Sequence, residues 1–379
     1  MKLNGIAKRG KLQGQGRAFV LVIQWGQSGV VYYMRLMSTN LSVPDPRLSL
    51  LLAWLSPLVN RYRLKPETLA PASNDASFRR YFRVMTDRAS LIVMDAPPPL
   101  EDVRPFVDIA TLFARSGASL PKVHEADLTQ GFLLLEDFGG TTYLDVLNDD
   151  TAPALYVEAF DALVKIQSIS QDHVLPPYDE ALLKRELELY PEWYLTRHKN
   201  YHITARDREV LDAAFRQLIE NNLSQPKVFV HRDYHSRNLM LLPGEGNPGV
   251  LDFQDAVYGP ITYDLVSLLR DAYIAWPEAQ VIDYCVRYWE KARAAGLPVG
   301  TDFSAFYRDF EWMGLQRHLK VLGIFARLCH RDGKARYLND IPLVLNYVVK
   351  TVSRYRDLGP LLSLIERVDG EAVTSGLTF

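Results

Sequence analysis

The sequence predicts an α+β, bilobal fold: a small β-rich N-terminal lobe over 37–137 and a larger helical C-terminal lobe over 138–379. Three observations predict it. Before residue 137 the apolar residues fall in short β-branched and aromatic runs separated by turn residues, whereas beyond it they recur at helical spacing through long stretches. Between the two regimes, DFGG at 137–140 breaks both patterns. At 379 residues and 48% hydrophobic, the chain is long enough for two cores.

Residues 1–36 form a basic leader: Lys2, Lys8, Arg9, Lys11, Arg17 and Arg35 are charged, and the first acidic residue is Asp45. It reads as a non-native start or a disordered tail, with Met37 as the natural beginning. Leu48, Leu51, Leu52 and Leu55 predict an opening helix over 47–59. FRRYFRVM at 78–85 and SLIVMD at 90–95, joined by Thr86, Asp87 and Arg88, predict a hairpin that the prolines at 97–99 end. A helix over 105–115 has Pro105 in its first turn and Gly117 as its stop, and strands follow at 121–124 and 132–136. Thereafter helices are predicted over 154–169, 178–195, 207–221, 263–276, 278–295, 303–329 and 336–358, with strands at 228–230, 239–242 and 249–253.

Composition excludes several functions. A net charge of −2 without a long Lys/Arg run predicts neither nucleic acid nor an anionic membrane as partner. No apolar run reaches the roughly 18 residues of a membrane span. Cys285 and Cys329 match neither a zinc spacing nor a disulfide framework, which fits a reducing cytoplasm.

HRDYHSRN at 231–238 fits H-R-D-x-x-x-x-N, the catalytic-loop pattern of kinases. The spacing places Asp233 beside an acceptor hydroxyl as base, while Asn238 meets a magnesium ion at the phosphates. GVLDFQD at 249–255 supplies a second acid, Asp252, at a strand end, and hard magnesium prefers such oxygen donors. A Walker-type G-x-x-x-x-G-K-[ST] is missing, and His231 and His235 lack the partners of a metal hydrolase. ATP and Mg2+ are therefore the expected cofactors, with a nucleotide cleft between the lobes. A nucleotide-binding protein of this fold without turnover is the alternative class.

These residues resemble a known family. His235, Asn238 and DFQD look like the aminoglycoside phosphotransferase and choline kinase superfamily of protein-kinase-like folds, and the eleven residues between Asp252 and Asp264 leave little room for an activation segment. SFRRYFRV, LIVMDAPPPLEDVRPF, ELYPEWYL and VLDFQDAVYGPITYDLVSLLRDAYIAWP are similar, over 48–364, to the bacterial anomeric kinases of N-acetylmuramate and N-acetylglucosamine in peptidoglycan recycling. The resemblance implies phosphate transfer from ATP to the anomeric hydroxyl of an amino sugar, with choline, aminoglycosides or related hydroxyl acceptors as alternatives. No obligate protein partner is inferred.

It also implies site positions. The phosphate-covering loop falls at 73–77, where SNDAS offers Ser73, Asn74 and Ser77 but no glycine. The expected phosphate-pairing lysine is replaced by Met94, so Arg80 or Arg83 is the candidate charge. The adenine hinge is Leu135, Glu136, Asp137 and Phe138. Sugar contacts are expected from Glu186, Trp193, Tyr194, Asp255 and Arg270, with Arg270 on the lactyl carboxylate of muramate. His231, His235 and Asp264 are structural support, Asp264 either capping its own helix through exposed backbone N–H groups or anchoring the catalytic loop.

Overall fold

The computed structural model describes residues 20–23, 32–35, 45–73, 78–244 and 246–370. The leader lies outside the described residues except for β1 (Val20–Ile23) and β2 (Tyr32–Arg35), which pair antiparallel. Met37 also lies outside them. The chain divides into two units, one of 1–103 with 123–137 and one of 104–122 with 138–379.

In the first unit Asp45 caps α1 (Pro46–Leu55), its carboxylate accepting from the N–H groups of Arg47 at 3.0 Å and Leu48 at 3.1 Å. The single helix predicted over 47–59 is interrupted because Pro57 cannot donate into the ladder. A 3-10 turn (Ser56–Leu58) and α2 (Val59–Tyr62) follow instead. Next come β3 (Lys65–Ser73), the hairpin β4 (Arg80–Met85) and β5 (Ser90–Asp95), and then β6 (Val123–Asp127) and β7 (Phe132–Glu136). They form one antiparallel sheet in the order β3-β4-β5-β7-β6. Sequence reasoning missed β3, since Pro66 and Pro71 argue against a strand. Its place at the sheet edge tolerates them, as do its register shifts against β4.

Leu51, Leu55, Leu64, Val84, Val93, Phe132 and Leu134 form the core of this unit, and Trp54 stacks on Phe132 at 5.5 Å. Each such side chain stabilises by roughly 1.5–3 kcal/mol on burial. Helix α3 (Arg104–Ala114) was expected with the N-terminal lobe, yet it packs into the second unit. Its apolar face decides this, with Phe106 against Phe253 at 4.7 Å and Phe113 against Phe229 at 6.1 Å.

The second unit continues through α4 (Tyr143–Val146), α5 (Ala152–Ser168), α6 (Glu180–Leu187), a π-helix (Tyr190–His198) and α7 (Ala205–Ser224). The helix predicted over 178–195 is therefore two elements, with Pro191 in the first turn of the second. Strands β8 (Lys227–Val230), β9 (Leu239–Met240), β10 (Gly249–Val250) and β11 (Val257–Pro260) make two ribbons, β8 with β11 and β9 with β10. Helices α8 (Tyr263–Leu269), α9 (Glu278–Ala294), α10 (Phe303–His330), α11 (Ile341–Arg354) and α12 (Gly359–Asp369) complete it, with a 3-10 segment (Ala335–Asp340) before α11. Helix α10 is the axis of this unit. Every residue from 310 to 323 is buried, as expected of a helix packed on all sides. Gly323 is needed there because an added Cβ would stand 2.4 Å from the Leu189 carbonyl.

Candidate active site

Ribbon β8–β11, with Val230 opposite Val257, leads into the loop at 231–238, and ribbon β9–β10 leads out of it with Leu239 opposite Val250. Two buried carboxylates hold this loop by its backbone. Asp264 accepts from the N–H of His231 at 2.7 Å and of Arg232 at 2.9 Å, one on each oxygen. Burial pushes its carboxyl up to about 7, against the downward pull of those bonds. Asp271 accepts from the N–H of Ser236 at 2.9 Å and its hydroxyl at 2.5 Å. Arg232 holds a left-handed φ of 76°, and Arg317 donates to its carbonyl at 3.0 Å.

Asp233 is half-buried. Its N–H donates to Nδ1 of His231 at 3.2 Å, and its carbonyl accepts from Asn238 Nδ2 at 2.9 Å and from the His235 N–H at 3.0 Å. Burial lowers the His231 imidazole to about 4, so it remains a neutral acceptor near pH 7. Burial raises the Asp233 carboxyl, but Lys320, His235, Arg317 and Arg232 outweigh it and hold the group below the usual range. Asp233 is thus ionised at neutral pH.

Asn238 Nδ2 also lies 3.4 Å from Asp252, whose other oxygen accepts from Gln254 Nε2 at 2.8 Å. Asp252 sits at φ 64°, a conformation that Asp tolerates better than most residues. Gln254 Oε1 is buried with no hydrogen-bond partner. Asp252 and, through its carboxamide oxygen, Asn238 are the residues here that could hold magnesium, which prefers such hard oxygen donors.

Several expected sugar contacts serve the scaffold instead. Glu186 is buried and paired with Arg232 at 2.5 Å and Lys320 at 2.9 Å, and the Tyr178 hydroxyl donates to it. Two cations beside a desolvated carboxylate fix it as a brace for the loop. Arg270 is 3% exposed and bonded to Glu311 at 3.1 Å, Glu278 at 3.3 Å, Tyr307 at 3.3 Å and Thr351 at 3.2 Å, so its guanidinium is engaged within the helical scaffold. Tyr194 is fully buried, stacked on Tyr190 at 5.4 Å and donating to Asp369 at 2.7 Å. Trp193 packs half-buried against the core, which leaves Asp255 as the exposed member of the set.

In the first unit Arg80, one candidate phosphate cation, pairs with Asp45 and Asp95. Arg83, the other, holds Asp137 at 2.5 and 2.9 Å, where the Ser90 hydroxyl also donates at 2.6 Å. Met94 is buried opposite Tyr81 and Leu133. Leu135 is buried in β7 and Glu136 is exposed. In the second unit the Phe138 ring lies on Gly249, where any Cβ would come within 2.4 Å of it. Asn74, Ser77 and the side chain of Ser73 lie outside the described residues.

Sequence reasoning overlooked Arg317, Lys320, Asp271 and Gln254. The first two had a signal: QRHLK at 316–320 interrupts the apolar run of α10, and charged residues on a buried helix need partners.

A model of the phosphotransferase enzyme family matches residues 68–297. The chain is 48% identical over 335 residues to the N-acetylmuramate/N-acetylglucosamine kinase of Pseudomonas putida, covering 86% of this chain and 98% of that one. It is 52% identical over 304 residues to the N-acetylmuramate/N-acetylglucosamine kinase of Pseudomonas aeruginosa, covering 79% and 88%. Among solved structures, a choline kinase from Streptococcus pneumoniae shares the fold with a TM-score of 0.58 at 12% identity, over 80% of this chain and 99% of that one. No helix among the described residues is long and apolar enough to cross a membrane. A family match over more than half the chain, joined to near-half identity along almost the whole of a relative, shows that the chain belongs to the phosphotransferase enzyme family, in the group of the N-acetylmuramate/N-acetylglucosamine kinases.

Proposed function

We propose that this chain transfers the γ-phosphoryl group of ATP to the anomeric hydroxyl of N-acetylmuramic acid and N-acetylglucosamine, giving a sugar 1-phosphate for reuse in cell-wall synthesis. The observation that carries this is the ionised Asp233, locked by its own backbone to His231 and Asn238, with Asn238 next to Asp252. Asp233 takes the proton of the anomeric hydroxyl as its oxygen bonds to the γ-phosphorus, and the bond from that phosphorus to the ADP oxygen breaks. An anomeric hydroxyl is more acidic than an ordinary alcohol, so a carboxylate suffices as base. Asn238 and Asp252 would hold magnesium, with the Gln254 amide donating to Asp252. When bound, that ion neutralises charge on the β- and γ-phosphates. The adenine is assigned to 135–138 and the phosphate cover to 73–77 on the family resemblance. A reaction that draws on ATP fits a cytoplasmic protein.

The test is ADP release from purified protein with ATP and magnesium across N-acetylmuramate, N-acetylglucosamine, choline and an aminoglycoside. Phosphorus NMR should show an anomeric phosphate with the two amino sugars. Preference for choline or an aminoglycoside would overturn the substrate, and ATP binding without ADP release would overturn the activity.

A further inference from the structure

The two proposed acceptors differ in one charged group, the lactyl carboxylate of N-acetylmuramate, and a free cation beside the catalytic loop is the chemistry that would tell them apart. Most basic side chains there are already engaged. Arg232 and Lys320 share Glu186, Arg317 holds the Arg232 carbonyl and Arg270 is sealed among Glu278 and Glu311. Arg237 differs from all of them. It is exposed, directly precedes Asn238, and makes no ion pair among the described residues. Its guanidinium carbon lies 3.5 Å over the ring of Tyr273.

That stack is built rather than incidental. Asp271 ties the two segments that carry it, accepting from the N–H of Ser236, the residue before Arg237, at 2.9 Å and from the N–H of Tyr273 at 3.2 Å. His235 touches the same ring edge-on at 5.5 Å, so one aromatic surface joins the loop to the cation. Arg336, exposed on the segment Ala335–Asp340, adds a second positive charge within Coulombic reach of Tyr273. Against these stands Asp340, half-buried and within Coulombic reach of Arg237 but not hydrogen-bonded to it. A planar guanidinium fixed on an aromatic face, its N–H edge in water, suits bidentate capture of a carboxylate.

We infer that Arg237, stacked on Tyr273, binds the lactyl carboxylate of N-acetylmuramate and sets the preference between the two sugars. This rests on the proposed function. The experiment is kcat/KM for both sugars in wild type, Arg237→Ala and Arg237→Lys, with circular dichroism to check folding. In Arg237→Ala the ratio of N-acetylmuramate to N-acetylglucosamine should fall by about tenfold or more, mainly through KM for the acid sugar. Lysine should restore part of it, since charge returns without the planar fork. A ratio within about threefold of wild type in Arg237→Ala overturns the inference while the proposed function stands; a wild type inactive on both sugars overturns both. Should Arg237→Ala fail to fold, Arg237→Gln is judged by the same ratio.

Discussion

In the second unit Asp264 and Asp271 accept from backbone N–H groups of the loop, whereas in the first unit Asp95 and Asp137 accept from the side chains of Arg47, Arg80 and Arg83. All four carboxylates are almost fully buried. What differs is the donor. A carboxylate on the main chain fixes a loop by its backbone, and here it holds the segment in which Asn238 bonds the Asp233 carbonyl and approaches Asp252. A carboxylate on an arginine neutralises a cation, and so Arg80 ties β4 to β5 and to the start of α1, and Arg83 ties β4 to the end of β7. Sites are built where buried acids hold backbone.

The sharpest way to break this comparison is to remove the groups that the loop presents. Asp233→Asn should lower kcat by about a thousandfold with little change in stability, since it deletes the base and keeps the shape. Asp252→Asn should cost a similar factor through lost charge at the phosphates. Coupled ADP release measures both, and near-normal kcat in either would remove the role given to that residue. Next in size is Asp264→Ala, which orphans the N–H groups of His231 and Arg232 in a buried site. At roughly 1–3 kcal/mol each, the loss should be about 4 kcal/mol by urea unfolding, with kcat falling as the loop loosens.

Asp95→Ala provides the matched control in the first unit. It frees Arg47 and Arg80, both partly exposed, so solvent compensates and the loss should be about 2 kcal/mol. Turnover should stay within about threefold of wild type. If Asp95→Ala slowed turnover as much as Asp264→Ala, the distinction between the two kinds of carboxylate would collapse.

The two units were unequally legible in the sequence, and for the same physical reason. The reacting groups of the loop lie within eight residues, so their spacing alone prescribes their geometry; for Asp264 the helix start suggested a cap as well as an anchor, and it is the anchor of the loop that the structure shows. Strand β7 was read to the residue because FLLLE is a short apolar run with clear bounds. Arg270 and Tyr194 were misplaced because composition cannot say which polar residue of a helical lobe faces inward. Only long-range partners such as Glu311 and Asp369, 41 and 175 positions away, decide it. Arg80 and Arg83 posed the same difficulty in a strand, where alternation gives two faces but not the acid that waits on each.

The smallest expected effect tests the histidines behind the loop. His231 accepts the Asp233 N–H, and His318 faces the Arg270 carbonyl at 3.0 Å while stacking on Tyr347 at 4.8 Å. Burial lowers the first to about 4 and the second to about 3, below the ordinary value of about 6.5 expected when unfolded. Between pH 6.5 and 4 these two histidines bind protons in the unfolded chain and not in the folded one; Asp264, raised to about 7, does the reverse and offsets one of them, so stability still falls as pH falls, by less than the two histidines alone would give. Each histidine contributes about 1 kcal/mol for every pH unit below 6.5. The depressed Asp233 adds its own loss only below about pH 4, as protonation begins in the unfolded chain. Urea midpoints at pH 7, 6 and 5 should thus decline in wild type and decline less in His318→Gln, which keeps a donor for the Arg270 carbonyl but cannot titrate. Equal slopes in the two proteins would show that His318 takes up its proton without unfolding, leaving the acid sensitivity to the histidine that touches the catalytic loop.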